Sequence, residues 1–290
     1  MKISYVMIVL NGMPYIKANL EGIYESAHEI IIVEGAEQQG MFSANPDGSS
    51  NDGTVEFIKA FPDPDKKIKL VQGKWPFKLD MQNHAVEIAT GDYIWLVDSD
   101  EIYKKEDIKK ITQMLINDPT IYQINVPLLH FWKGYNWILD TTVVARASAN
   151  RIFKLQKPCY FTTHRPPTMF YPNLQKETVR KSIKRRQRNL LNVIDYKVLE
   201  KQGIYIYHYS YVLEKQVWQK MNLYKTYGWE KPWKMDLLDW YHNCFMKWSP
   251  ETRVEIEKKY TIIPCAEGSN TKPFVGTHPT QMKTIMEGTQ

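Results

Sequence analysis

The first 126 residues alternate short apolar runs with helical patterns, and this alternation constrains the fold more than any other feature. Ile3 to Val9, Glu29 to Val33, Lys67 to Val71, Tyr93 to Val97 and Ile121 to Val126 read as strands. Helical spacing covers Pro14 to Ala27, a stretch opened by Asp52-Gly53-Thr54 that runs to about Ala60, Lys78 to Thr90, and Glu106 to Asn117. Strands joined through helices become parallel neighbours, with the crossovers lying on the faces of the sheet. After Glu29, the second run is apolar at every position through Val33, as a central strand covered on both faces requires. The predicted class is therefore α/β, with a mostly parallel central sheet flanked by helices.

Beyond Val126 the character changes. Aromatics and prolines cluster at Phe131, Trp132, Tyr135 and Trp137, and again from Cys159 to Pro167. Arg151 to Leu155 and Tyr205 to Tyr209 alternate and predict further strands, and from about Val212 the chain turns helical as far as Tyr227. Three parts are expected: 1–126 as an α/β half, 127–211 as a further part of the same domain, and 212–290 as a helical, aromatic-rich C-terminal region. Trp218, Trp229, Trp233, Trp240 and Trp248 all lie in that last part and read mostly as packing anchors. The polar tail from Ser269 to Gln290 is expected to be poorly ordered.

No apolar run approaches the ~20 residues that span a bilayer. The N-terminal run Met1 to Leu10 passes into Asn11-Gly12-Met13-Pro14 without a small-residue cleavage site, so it reads as a buried first strand. Cys159, Cys244 and Cys265 fit neither a disulfide framework nor a zinc spacing, and a reducing cytoplasm is the simplest setting. The net charge is +6, and Arg180 to Arg188 holds six basic residues. That run reads either as a solvated helix face or as a peripheral contact with anionic lipid at the inner membrane surface. No helix-turn-helix or RNA-binding motif accompanies it, so nucleic acid is not expected as a partner.

The stretch Gly91-Asp92-Tyr93-Ile94-Trp95-Leu96-Val97-Asp98-Ser99-Asp100-Glu101 ends a strand in acidic residues. The two-residue repeat of a strand sends Asp98 and Asp100 to one side of its carboxyl end, where open α/β sheets bind ligands. Paired carboxylates there suit Mg²⁺ or Mn²⁺, while the plainer reading is a polar turn with Asp100 capping the next helix; Glu101 reads as a residue of that helix's first turn. Competing signatures are absent. Gly73-Lys74 lacks the rest of a phosphate-cradling loop, and there is no G-x-G-x-x-G, H-E-x-x-H or G-x-S-x-G.

Taken in order, Ile30-Ile31-Ile32-Val33-Glu34-Gly35-Ala36, Asp47-Gly48-Ser49-Ser50-Asn51-Asp52-Gly53-Thr54, Gln82-Asn83 and Gly91 to Glu101 resemble glycosyltransferase family 2. The resemblance implies a GT-A fold and a D-x-D motif at Asp98-Ser99-Asp100. It also implies a metal-dependent, inverting transfer of a sugar from a nucleotide sugar, a UDP-sugar first of all, to a hydroxyl of a glycan or lipid-linked acceptor. It sets Leu10, Asn11, Glu34, Asp52, Asn83, Asp98 and Ser99 around the nucleotide sugar, and Asp100 and His208 on the Mn²⁺ or Mg²⁺ ion. Glu34, at a strand end, is favoured over Asp52 for the nucleotide base; Asp52 reads equally as a helix cap, and His208 equally as a hydrogen-bonded core histidine. His164 falls where the family carries its catalytic base, with Asp140 and Glu177 as substitutes, and Arg165 beside it is suited to phosphate. Two other readings are a nucleotidyltransferase on a related fold and a catalytically silent carbohydrate-binding protein. Leu10 to Pro14 lacks the Gly-rich, Arg-containing loop of the first, and the intact acidic pair argues against the second.

Overall fold

The computed structural model of the chain describes residues 1–140, 148–175, 191–263 and 270–288. Glu177, Cys265 and the basic run Arg180 to Arg188 lie outside the described residues. The alternation predicted for the first half is observed: β1 (Ile3–Val9), α1 (Tyr15–Ile23), β2 (Glu29–Glu34), α2 (Thr54–Ala60), β3 (Ile68–Gln72), α3 (Lys78–Ile88), β4 (Tyr93–Leu96), a two-residue β5 (Glu101–Ile102), α4 (Lys105–Asn117) and β6 (Ile121–Trp132). Strand β1 runs parallel to both β2 and β4, and β2 parallel to β3. All six residues of β2 are buried, as its apolar run required.

The second half is stitched onto this sheet by β8 (Ser148–Lys154), which lies antiparallel between β4 and β6. The strand expected to stop at Val126 continues to Trp132, and its far end pairs with β7 (Trp137–Leu139) and, in parallel, with β12 (Ile206–Tyr211). β9 (Tyr160–Thr163) and β10 (Thr168–Phe170) form a separate hairpin, followed by α5 (Pro172–Gln175), β11 (Asn192–Ile194) and α6 (Tyr196–Glu200). Helix α7 (Glu214–Thr226) opens the C-terminal region, and β13 (Thr271–Pro273) returns to pair with β7.

Helical spacing decides which faces are buried. Ile16, Leu20 and Ile23 of α1 and Ile108, Ile111 and Leu115 of α4 bury one stripe each against Tyr5, Trp95, Ile124 and Ile152 of the sheet. On the opposite face α3 places Met81, Ala85 and Val86 against Val6, Ile31, Ile94 and Phe161. A third cluster surrounds Trp132, Trp240, Phe245 and Trp248, so these C-terminal tryptophans are packing anchors, whereas Trp218 is 39% exposed. Gly35, at φ 129°, ends β2; a Cβ there would stand 1.9 Å from the carbonyl oxygen of Gly73, so no other residue fits.

The expectation of a poorly ordered tail is overturned within residues 270–288. Met282 and Ile285 are buried in a cluster with Phe131 and Tyr209, Gln281 donates to the Tyr103 carbonyl at 2.7 Å, and His278 Nδ1 lies 2.8 Å from the Tyr209 hydroxyl. Apolar positions spaced along a polar segment suffice to dock it. Among the described residues no helix is long and apolar enough to cross a membrane.

Candidate functional site

The site is built on the turn between β4 and β5. Val97 still donates to Val6 at 3.0 Å, after which the chain turns and Glu101 N donates back to the Asp98 carbonyl at 3.0 Å. Asn19 of α1 clamps the turn from below, its amide donating to the carbonyls of Asp98 (2.9 Å) and Glu101 (2.8 Å). Glu101, expected in the first turn of a helix, is instead a strand residue opposite His208 and only 1% exposed. Its carboxylate and Asp98 share one cation, Arg151 of β8, whose Nη2 lies 2.9 Å from Asp98 Oδ2 and in direct contact with Glu101 Oε1.

Asp100 faces different partners. Its Oδ2 accepts from Gln216 Nε2 of α7 at 3.0 Å, and its Oδ1 lies 3.8 Å from His208 Nε2. Among the described residues no group of three or more His, Cys, Asp or Glu side chains is arranged to hold a metal ion, so Asp100 and His208 stand as a pair.

Three further cations act on these carboxylates: Lys78 at the start of α3, Arg165 in the β9–β10 turn and Lys220 of α7. None has an ion-pair partner among the described residues. Burial works to raise Asp98, but Arg151, Arg165 and Lys78 outweigh it and hold the carboxyl below its usual range. Burial raises Asp100, against the pull of Lys220. Lys78 is pushed down to about 8 by burial and by Arg165. His164, pressed by burial, Arg165 and Lys78, is lowered to about 3 and is neutral, and neither ring nitrogen has a hydrogen-bond partner among the described residues. Burial and His130 drive His208 well below its ordinary value as well. The result is a group of carboxylates acted on by three cations that have no ion-pair partner among the described residues.

The other predicted residues are distributed as follows. Leu10 and Asn11 form the β1–α1 turn, with Asn11 at φ 56°. Asn11 N donates to Ser50 Oγ (2.8 Å), its amide to the Ser43 carbonyl (2.6 Å), and its Oδ1 accepts from Asn51 N (2.9 Å). Glu34 is fully buried and accepts from Ser50 N, Ser50 Oγ and Gln72 Nε2 at 2.7, 2.7 and 3.0 Å. Asp52 accepts from Met13 N (2.9 Å), Thr54 N (3.1 Å) and Thr54 Oγ1 (2.6 Å). Glu34 and Asp52 thus spend their oxygens shaping one loop scaffold beside the acidic turn. Ser99 packs against that scaffold at Gly12, where a Cβ would stand 3.1 Å from its own. Asn83 spends its amide on the backbone of Phe161, donating to its carbonyl at 3.0 Å and accepting from its N–H at 2.7 Å, which fastens β9 to α3. Asp140 follows β7 and pairs with Lys272 of β13 at 3.1 Å.

Sequence reasoning missed Arg151, Lys78, His130 and the whole inward stripe of α7. Gln216 touches Asp100, Lys220 acts on Asp100, Tyr224 hydrogen-bonds Arg165, and Tyr227 donates to Glu37 Oε1 at 2.6 Å. Their spacing of four, four and three residues is that of one helical face, the signal that was available. Arg151 opens the alternating run Arg151 to Leu155, and a buried charge is rarely without a partner.

Fold and site together define an α/β protein with an acidic turn and a basic rim at the carboxyl edge of its parallel strands. Residues 46–172 match the family model Glycosyl transferase family 2. Over 108 residues it is 32% identical to the SPbeta prophage-derived glycosyltransferase SunS of Bacillus subtilis (strain 168) and to glycosyltransferase SunS of Bacillus phage SPbeta. Those alignments cover 37% of this chain and 22% of each relative. Among solved structures, S. aureus TarS 1-349 is similar at 14% identity over 89% of this chain and 78% of its own, with a TM-score of 0.42. Mannosyltransferase PcManGT from Pyrobaculum calidifontis, in complex with GDP-Man and Mn²⁺, is similar at 23% identity over 44% of this chain and 35% of its own, with a TM-score of 0.36.

Proposed function

We propose that this protein is a glycosyltransferase that moves a sugar from a nucleoside diphosphate donor to a hydroxyl of a glycan or lipid-linked acceptor, with inversion. One observation carries the reading: Lys78, Arg165 and Lys220 converge on the acidic turn without ion-pair partners among the described residues. Lys78 and Lys220 are half-buried and Arg165 is exposed; cations gathered at one place attract an anion, and a diphosphate supplies the charge. The nucleotide sugar is assigned to Leu10, Asn11, Glu34, Asp52, Asn83, Asp98 and Ser99, with Glu34 favoured over Asp52 for the base.

Asp100 and His208 would hold a divalent cation. Adjacent donors about 2.1 Å from one octahedral ion stand about 3 Å apart, so the 3.8 Å between Asp100 Oδ1 and His208 Nε2 would close by under 1 Å on binding. Carboxylate and imidazole suit Mn²⁺, and such ions take their remaining oxygens from water and substrate phosphates. When bound, the ion would neutralise charge on the departing diphosphate.

In the transfer, the bond from the anomeric carbon to the diphosphate oxygen breaks as the bond to the acceptor oxygen forms. Lys78, Arg165 and Lys220 stabilise the charge that accumulates on the leaving diphosphate. The acceptor proton passes to a bare ring nitrogen of His164, whose basicity rises once the diphosphate offsets Arg165 and Lys78. Asp140, beside Lys272, remains the substitute for that role.

Thermal-shift screening of UDP- and GDP-sugars, with and without Mn²⁺, tests the proposal. A metal-dependent rise for one nucleotide, lost in Asp100→Ala, is expected; a rise that persists unchanged in Asp100→Ala removes the metal-site assignment, and no rise for any nucleotide removes the donor class.

A further inference from the structure

His130 and His208 occupy the same register of the parallel strands β6 and β12. Their Nδ1 atoms lie 2.8 Å apart, with ring centroids at 4.8 Å. Two N–H groups cannot face each other at that distance, and two lone pairs repel, so one ring donates and the other accepts. The remaining nitrogen of His208 bears on which. His208 Nε2 stands 3.8 Å from Asp100 Oδ1, beyond hydrogen-bond reach. No hydrogen bond to Asp100 therefore holds a proton on Nε2, which is consistent with Nδ1 carrying it.

We infer that His130 is a positioning residue: by accepting from His208 Nδ1–H, it fixes the tautomer in which His208 aims its Nε2 lone pair at the space beside Asp100 Oδ1. Gln216 does the matching work on Asp100, occupying Oδ2 and leaving Oδ1 turned toward His208. The two donor atoms are thereby preset for a divalent cation before one arrives. This inference rests on the reading of Asp100 and His208 as the ligands of that ion.

Two measurements on the full chain test it. Long-range ¹H–¹⁵N spectra of the metal-free protein, with His208 identified by substitution, should show Nδ1 protonated and Nε2 bare; the opposite tautomer overturns the proposal. Mn²⁺ titration followed by electron paramagnetic resonance, with UDP present, should show affinity weakened about 10- to 100-fold in His130→Phe. His130→Asn, whose side-chain oxygen can stand where Nδ1 stood, should recover most of it. Wild-type affinity in a folded His130→Phe, or equal loss in both variants, overturns the positioning role. An unaltered titration in His208→Ala strikes instead at the metal reading beneath it. Should His130→Phe fail to fold, the tautomer of the wild-type protein still decides.

Discussion

Arg151 stands between two carboxylates of one turn, 2.9 Å from Asp98 and in direct contact with Glu101, with only 10% of its side chain exposed. Removing one member of a buried ion pair strands the other charge, at about 3–5 kcal/mol. Arg151→Met is therefore expected to lower unfolding free energy by about that amount in urea titrations. Adding Glu101→Gln should recover part of the loss, because the stranded carboxylate is then neutral. Strictly additive losses would show that the two side chains are not coupled.

Lys220 is the cation that α7 brings to Asp100, with its ammonium 4.9 Å from the Tyr211 ring. Lys220→Ala is expected to weaken UDP binding about tenfold, the scale of one charge-assisted contact, and to flatten the salt dependence. Lys220→Arg should retain most of the affinity. Calorimetric titration at two ionic strengths checks both.

Lys78 and His164 make anion binding pH-dependent. Lys78 loses its proton at about 8 in the free protein, so UDP affinity should fall as pH rises past that value, and Lys78→Arg should abolish the fall. The unfolded chain keeps the lysine proton to about 10.4, so stability contributed by this group increases as pH rises between the two values. His164 titrates near 3 with Arg165 and Lys78 unanswered, and saturating UDP should move it upward in ¹H–¹⁵N spectra. An unmoved His164 would take it out of reach of the diphosphate.

Glu29 offers a test of the scaffold alone. It accepts from Ser4 Oγ (2.5 Å), Thr90 N (2.6 Å) and Lys69 Nζ (2.6 Å) at the far end of β2. Burial opposes its charge, but Lys69, Ser4 and Thr90 prevail and lower it from 4.5 to about 2. Its contribution is complete above about 4.5 and is lost as pH falls toward about 2. Glu29→Gln should cost about 1–3 kcal/mol at neutral pH and shallow the acid limb of the stability curve. An acid limb identical to wild type would place the acid sensitivity elsewhere.

The strand–helix order of the first half, the burial of β2 and the acidic turn were legible because each rests on local periodicity. The resemblance to family 2 could be read for the same reason, since its pieces follow one another along the chain between Ile30 and Glu101. Roles were harder to read. Asn83 and Asp52 hydrogen-bond backbone from Phe161 and Met13, far along the chain, and no spacing announces those partners. Glu101 looked like a helix residue because its partners, Arg151 and His208, come from β8 and β12.

Local pattern, then, determined the α/β class and the position of Asp98 and Asp100 at a strand end, since periodicities of two and 3.6 residues are properties of short segments. Tertiary structure alone decided what surrounds them. Strand β8 inserts between β4 and β6 and delivers Arg151; β12 pairs beside β6 and sets His208 against His130; α7 crosses the site and delivers Gln216 and Lys220. Those juxtapositions depend on which strands become neighbours, a choice made by burial of whole faces and not by any stretch of sequence read by itself.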